Sequence, residues 1–310
     1  MAELLDNYES NYCHFIITFM KKIVIIISLC MVFTSCRAPE KDQLLTFNEL
    51  KAKRGYRNLD SLPANLTTIY KINLSGQSLK EIPAVIFKMS NLQELNVSKN
   101  GLTNLGDIDK LKNLQELNVG MNRLSVFPYK LINLKHLKIL SLYWNDISTI
   151  PSNFYDSNSL EELDMTSMFK FDFAANLKSI YRLKKLKHLT LGNNQIPALN
   201  IDFVKLDNLQ EFAFTGQHRV DIKDLLINLS KCKQLQIVHL SRNNIETLPD
   251  EISLLSQLKV LNLFENHIKY LPLKITNLKN LKEITLIDNP VDSIQISKVE
   301  KKLPQVKIIY

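Results

Sequence analysis

The 310-residue chain predicts a curved α/β solenoid, with one parallel β-sheet on its concave face and short helical or 3₁₀ turns on its convex face. Three observations predict it. A template of the form L-x-x-L-x-L-x-x-N-x-L recurs ten times at spacings of 22 to 26 residues. Within each copy, apolar and polar residues alternate. After most copies comes a segment of the form L-P-x-x-I-x-x-L-x-x-L, whose apolar residues are spaced by three. Self-similarity at such a period marks stacked supersecondary units, none of which can bury its own apolar face alone.

The first template position falls at Ile69, Leu92, Leu114, Leu137, Leu160, Leu186, Leu209, Leu235, Leu258 and Leu281. A truncated copy, Leu303-x-x-Val306-x-Ile308, follows. The alternation has period two, which is that of a short strand with one buried face. Leu95 and Val97 are expected to point inward, Asn96 and Ser98 outward. Stacking the copies pairs these strands in parallel. The ninth position holds Asn100, Asn122, Asn145, Asn194, Asn243, Asn266 and Asn289. A short amide at the bend after a strand can satisfy backbone groups that would otherwise be buried unpaired, so these asparagines read as a structural ladder. In Leu248-Pro249…Ile252…Leu255 and Leu271-Pro272…Ile275…Leu278, spacing by three suits a 3₁₀ or α turn with one buried stripe. Proline is tolerated at its start, where no intrahelical donor is needed.

These residues resemble the leucine-rich repeat family, in its 23-residue LPxxIxxLxxL class. The resemblance covers 66–310 as ten coils and a truncated capping coil. It implies the curved solenoid above and a binding role, but no particular partner, because the scaffold is reused.

Two coils run to 26 residues and lose the ladder asparagine, with Met168 and Gln217 in its place. Their longer convex segments predict true helices, Asp221–Leu229 among them. Ahead of the repeats, Asn48–Arg54 followed by Gly55 reads as a short capping helix with a glycine stop.

The N-terminal region addresses location. Lys21 and Lys22 precede an apolar run from Ile23 to Phe33, and Thr34-Ser35-Cys36 follows. That run suits a signal peptide and is short for a membrane span. The stretch resembles a bacterial lipoprotein signal, with Phe33 where Leu, Val or Ile is usual. The resemblance implies cleavage before Cys36 and lipid, palmitate included, on its thiol. Residues 1–35 are then an extension plus signal peptide with its start at Met20, and 36–65 are a tether and capping helix. Arg37 stands where Asp would imply retention in the inner membrane, so an outer-membrane or cell-surface anchor is expected. The whole arrangement is similar to leucine-rich repeat lipoproteins of the Bacteroidetes. Of the four cysteines, Cys36 and Cys232 remain after cleavage, and Cys232 reads as a buried small residue rather than half of a disulfide.

The outward strand positions line the concave face and supply the candidate contacts. Tyr143 and Trp144 lead, because exposed aromatics anchor protein or sugar partners and Trp144 is the only tryptophan. Asp164, His188, Arg242 and Phe264 complete the predicted set. The chain carries +8, or +9 once cleavage removes two lysines and three carboxylates. Yet the charged outward positions are mainly acidic, with Glu94, Glu116, Glu162, Glu211 and Glu283 among them. A nucleic-acid groove needs the opposite sign. His188, His239, Asp164 and Glu162 lack metal-ligand spacing, and the sequence holds no phosphate loop, nucleophile elbow or catalytic carboxylate pair. The expectation is a monomeric, lipid-anchored binding protein for a protein or glycan, without enzyme activity, cofactor, metal or nucleic acid. A cytoplasmic scaffold for a small GTPase-like partner is the alternative, with an enzyme of unrecognised site behind it.

Overall fold

The computed structural model describes residues 44–310 apart from positions 195, 197, 198, 200, 218 and 219. Cys36, the Met20 start and the apolar leader lie outside the described residues. Twelve strands form one sheet in chain order. They are β1 (Gly55–Tyr56), β2 (Lys71–Asn73), β3 (Glu94–Asn96), β4 (Glu116–Asn118), β5 (Ile139–Ser141) and β6 (Glu162–Asp164). Then come β7 (His188–Thr190), β8 (Glu211–Ala213), β9 (Ile237–His239), β10 (Val260–Asn262), β11 (Glu283–Thr285) and β12 (Lys307–Ile309). Every neighbouring pair is parallel and in the register of the repeat, for example Leu95↔Leu117 and Leu117↔Leu140. Strands β2 to β11 are the ten template copies and β12 the truncated one.

Period-two patterning puts Leu95 and Val97 in the core while Glu94 and Asn96 stay half-exposed. The convex segments are 3₁₀ turns, and prolines stand immediately before four of them. Pro128, Pro151, Pro249 and Pro272 precede Tyr129–Asn133, Ser152–Asp156, Asp250–Leu254 and Leu273–Asn277. Three of these turns point one residue inward, Leu131, Ile252 and Ile275, and the turn Ser152–Asp156 points in both Phe154 and Tyr155. Fully burying such a side chain contributes about 1.5–3 kcal/mol, and only stacking against the next coil achieves it. The longer coils do carry helices. Asp172 caps α2 (Phe173–Asn176), and Asp221 caps α3 (Ile222–Leu229), its carboxylate accepting from Asp224 N–H at 2.9 Å. A last helix, α4 (Ser293–Glu300), follows β11. Cys232 is buried, its thiol 3.4 Å from the Phe203 carbonyl, and burial pushes its pKa up to about 12.

The asparagine ladder forms as expected. Asn122 accepts from Leu102 N–H at 3.0 Å and donates to the Val97 and Val119 carbonyls at 3.0 and 2.9 Å. It thus ties its own coil to the preceding one. Asn100, Asn145, Asn194, Asn243, Asn266 and Asn289 make the corresponding bonds. Gln217 is a rung as well: its amide accepts from Ile196 N–H at 2.9 Å and donates to the Leu191 carbonyl at 2.8 Å. Met168 breaks the row, and its N–H donates to Asn194 of the next coil at 2.7 Å.

Three local expectations change. The capping helix, α1, spans Phe47–Ala52 instead of Asn48–Arg54, because Thr46 and Glu49 close a reciprocal capping box at its start. Gly55 is no helix stop: Lys53 ends the helix in extended conformation, and Gly55 opens β1, paired with Lys71. Ser98 is buried, not outward, its hydroxyl 2.9 Å from that of Ser75.

Candidate functional site

The register sorts the concave face into rows that run across the strands. The first holds Lys71, Glu94, Glu116, Ile139, Glu162, His188, Glu211, Ile237, Val260, Glu283 and Lys307. Lys71 relieves part of its negative charge, and two imidazoles lie against its carboxylates. Lys71 meets Glu94 at 3.1 Å, and His188 Nδ1 meets Glu162 at 3.5 Å. His239 Nε2, from the second row, meets Glu211 at 3.1 Å, and that bond holds the Glu211 carboxyl below the usual carboxylate range.

Glu116 has no ion-pair partner among the described residues, and only the charge of Lys71 acts to lower its pKa. Burial, followed by the charges of Glu94 and Glu162, raises its pKa above the ordinary 4.5. A raised carboxyl pKa means the folded chain takes up this proton at higher pH than the unfolded chain does. Its charged form therefore opposes folding above the folded pKa, and the opposition fades as pH falls through that value. Glu116→Gln is expected to raise Tm at neutral pH, with the gain shrinking as pH falls toward 4.5. Thermal melts of both proteins across this range check it, and a gain that does not depend on pH would contradict it.

After each of the strands β3 to β11 the chain turns through a residue in the left-handed region. Lys99, Met121, Trp144, Ser167, Asn193, Arg242, Glu265 and Asp288 all have φ between 52° and 59°, and Gly216 has 63°. Each stands directly before the ninth template position, a rung of the ladder in every case but Met168. Trp144 therefore belongs to the rim of the sheet rather than to its flat outward rows. It is 56% exposed, and its ring meets Phe169 of the next coil edge-on at 6.4 Å. Phe169 is 62% exposed. Tyr143, one residue earlier, lies over Gly120 of the preceding coil, where a Cβ would run into its ring. Gly120 thus lets an aromatic lie flat along the face. Trp144 and Phe169 make one accessible aromatic patch across two neighbouring coils, while the half-buried Tyr143 ring lies over the coil before them.

The other predicted residues fall on the same face with different surroundings. Asp164 is occupied within the sheet, accepting from Thr166 N–H and Oγ1 at 3.0 and 2.7 Å and from Ser141 Oγ at 2.9 Å. His188 is half-exposed beside Glu162 on β7. Arg242 donates to Glu265 at 2.6 Å and lies over the Phe264 ring at 5.5 Å. Arg242 and Glu265 also border an open cleft of about 620 Å³ with Asn193, Asn244, His267 and Asp288. Five strand steps separate the coil of Trp144 from that of Phe264, roughly 24 Å. The predicted residues thus include two separate groups, Tyr143 with Trp144 and Arg242 with Phe264, while Asp164 and His188 lie on the strands between them. No group of three or more His, Cys, Asp or Glu side chains suited to a metal converges among the described residues.

Two family models, both described as leucine rich repeat, match residues 67–124 and 234–255. The fold is a leucine-rich repeat solenoid. Solved structures agree on that architecture. An internalin, inlF from Listeria monocytogenes, superposes with a TM-score of 0.62 at 22% identity, over 79% of this chain and 67% of that one. TLR13, in a complex with ssRNA13, gives 0.58 at 26% identity, over 77% of this chain and 36% of that one. The mouse RP105/MD-1 complex gives 0.53 at 23% identity, over 78% and 50%. This chain therefore spans half or less of the last two. No curated protein matches the chain.

In the leucine-rich repeat frame, the parts missed by sequence reasoning become plain. Phe169 follows the broken rung Met168 in a coil of irregular length, so the template assigned it no face. Gly120 is a small residue at a strand end, and nothing local marks it as the seat of an aromatic ring. The only signal was the repeat register, which sets Tyr143 one coil on from Gly120. Glu265 follows Phe264 in sequence, and its partner Arg242 lies one coil earlier.

Proposed function

We propose that this leucine-rich repeat chain is a lipid-anchored binding module. It is tethered through Cys36 at the outer membrane or cell surface and takes a protein or glycan on its concave face. The scaffold supports binding in general, and binding modules of this kind work without a catalytic centre or cofactor. The observation that carries the concave-face reading is the aromatic patch. Trp144 and Phe169 keep more than half their surface in solvent although they touch each other, and Tyr143 lies over Gly120 of the preceding coil. Large rings left in water on a rigid sheet cost solvation until a partner covers them. Asn193, Asn244, Arg242 and Asp288 offer polar recognition farther along the rim. An oligonucleotide suits the face poorly, because its phosphates would meet Glu94, Glu116, Glu162 and Glu211.

The anchor and the face are tested separately. Intact mass spectrometry of the chain from its native membranes should show a species that begins at a lipid-modified Cys36. A species that retains Met1 or Met20 with an unmodified thiol would overturn the anchor and move the search for partners into the cytoplasm. The face is tested through Trp144, as argued in the Discussion.

A further inference from the structure

The cap ahead of the repeats carries unpaired positive charge. From Leu44 to Asn58 the chain holds Lys51, Lys53, Arg54 and Arg57 against one carboxylate, Glu49. Glu49 is spent on the capping box, where it accepts from the Thr46 N–H at 2.7 Å. All four cations are exposed, and none forms an ion pair with a carboxylate among the described residues. In the coils beyond, by contrast, Lys71, Lys130 and Lys187 meet Glu94, Asp107 and Glu161.

Three of these cations rest on aromatic rings. Lys51 Nζ lies 4.6 Å from the centre of the Phe47 ring, Lys53 Nζ 4.6 Å from that of Tyr70, and the Arg54 guanidinium 5.0 Å from that of Tyr56. Phe47 itself is 54% exposed. The backbone fixes where these pairs lie. Leu45 N–H donates to Gln93 Oε1, and the Leu45 carbonyl accepts from Gln115 Nε2, both at 2.9 Å. These bonds seat the start of α1 beside the coils of β3 and β4. The chain then returns to β1, which pairs with Lys71 at the first edge of the sheet. The basic and aromatic side chains therefore occupy the N-terminal corner of the solenoid.

We propose that this corner docks on a bilayer surface of anionic phospholipid headgroups. Chain length argues for that occupant. Eight residue steps separate Cys36 from Leu44, and an extended chain of that length reaches at most about 29 Å. A lipid on Cys36 thus holds the corner within that reach of the headgroups, so the proposal rests on the anchor reading for its proximity. Charge complementarity acts over the last step. Cations beside a membrane anchor are drawn to anionic lipid within a Debye length, about 8 Å at physiological salt. The exposed Phe47 ring suits the boundary between headgroups and acyl chains, with the Lys51 ammonium reaching from it to the phosphates. Two attachments in place of one fix which end of the solenoid faces the bilayer.

The test uses the full chain carrying Cys36→Ala, so that no lipid on the thiol contributes. Phe47→Trp with Trp144→Phe moves the single indole to the corner. Its emission should shift to the blue on phosphatidylcholine vesicles that contain phosphatidylglycerol, and brominated lipid should quench it. Vesicles of phosphatidylcholine alone should give a markedly smaller shift, and salt at about 1 M should remove the difference. In the chain that keeps Phe47 and Trp144, Trp144 should not respond to either vesicle. Lys51→Gln, Lys53→Gln, Arg54→Gln and Arg57→Gln, combined in the same chain, should weaken the response to phosphatidylglycerol about ten-fold or more at an unchanged Tm. The apolar leader is present in every variant, so differences between them report the corner. A silent Phe47→Trp would overturn the proposal. So would an equal response to both vesicles, an unaltered response after the four substitutions, or a shift at Trp144. If the fourfold variant does not fold, Lys51→Gln with Arg57→Gln decides in its place. The anchor fails or stands separately, on the mass of the native chain at Cys36.

Discussion

Asn266→Ala is expected to cost about 3–5 kcal/mol of stability, a large loss for the removal of one small polar side chain. The side chain is 2% exposed and bonds five backbone groups, four of them at 3.1 Å or less and the Phe264 carbonyl at 3.4 Å. Its carbonyl accepts from Asn243 N–H at 2.9 Å and Ile245 N–H at 3.1 Å. Its amide donates to the Leu240 carbonyl at 3.0 Å and the Leu263 carbonyl at 2.8 Å. Alanine leaves these groups in a space that water does not reach, and each buried orphan costs about 1–3 kcal/mol. In a solenoid, each coil is held mainly by its neighbours, so the damage concentrates at the interface between the coils of β9 and β10. Urea unfolding followed by circular dichroism should show a lower midpoint, with the C-terminal coils separating into an earlier transition. Asn289→Ala is the internal comparison, because that rung is half-exposed and water can replace part of what is lost. A cost below 1 kcal/mol at Asn266 would mean that the ladder is not a principal source of cohesion.

The ladder was legible because it is chemistry at a fixed phase. Residues such as Leu95, Leu117 and Leu140 repeat in step with the backbone, so a one-dimensional template recovers the sheet, its register and the buried face. Gln217 fell outside the template by residue type, yet it carries the same amide with one more methylene, and the structure uses it as a rung. Strand β1 was missed for the opposite reason. Gly55 and Tyr56 belong to no copy of the template, and only the edge of β2 makes them a strand. The rim was the least legible part. Its residues share a left-handed backbone that the position imposes, while their types range from Lys99 to Trp144 to Asp288. No composition rule finds such a row, and the predicted outward direction of Trp144 held only as exposure, not as a place on the strand. Asp164 shows the reverse limit: its type suggested a contact residue, whereas its geometry spends both carboxylate oxygens inside the sheet.

Trp144→Ala is expected to weaken partner binding by about 2 kcal/mol or more, roughly thirty-fold in Kd. Truncation of a hot-spot tryptophan is where a binding face loses most, because the ring covers the largest area at low entropic cost. Trp144 also permits a cleaner variant. A non-glycine residue in the left-handed region carries about 1–2 kcal/mol of backbone strain, and Trp144 has φ 52°. Trp144→Gly relieves that strain and loses an edge-on contact with Phe169 worth about 0.5–1.5 kcal/mol, so the two changes nearly cancel in Tm. A purely structural ring predicts a lower Tm and unaltered binding. A binding anchor predicts the reverse: an unchanged Tm and a lost partner. Because Trp144 is the only tryptophan in the chain, its fluorescence reports directly on the site. The emission should shift to the blue when a partner from the cell envelope excludes water from the ring. Ile294→Ala, at an exposed apolar side chain on α4, should leave both affinity and emission unchanged. If Trp144→Gly binds as the unmodified chain does, the aromatic patch is not the anchor. The cluster of Arg242, Phe264 and Glu265 would then become the part of the concave face to test.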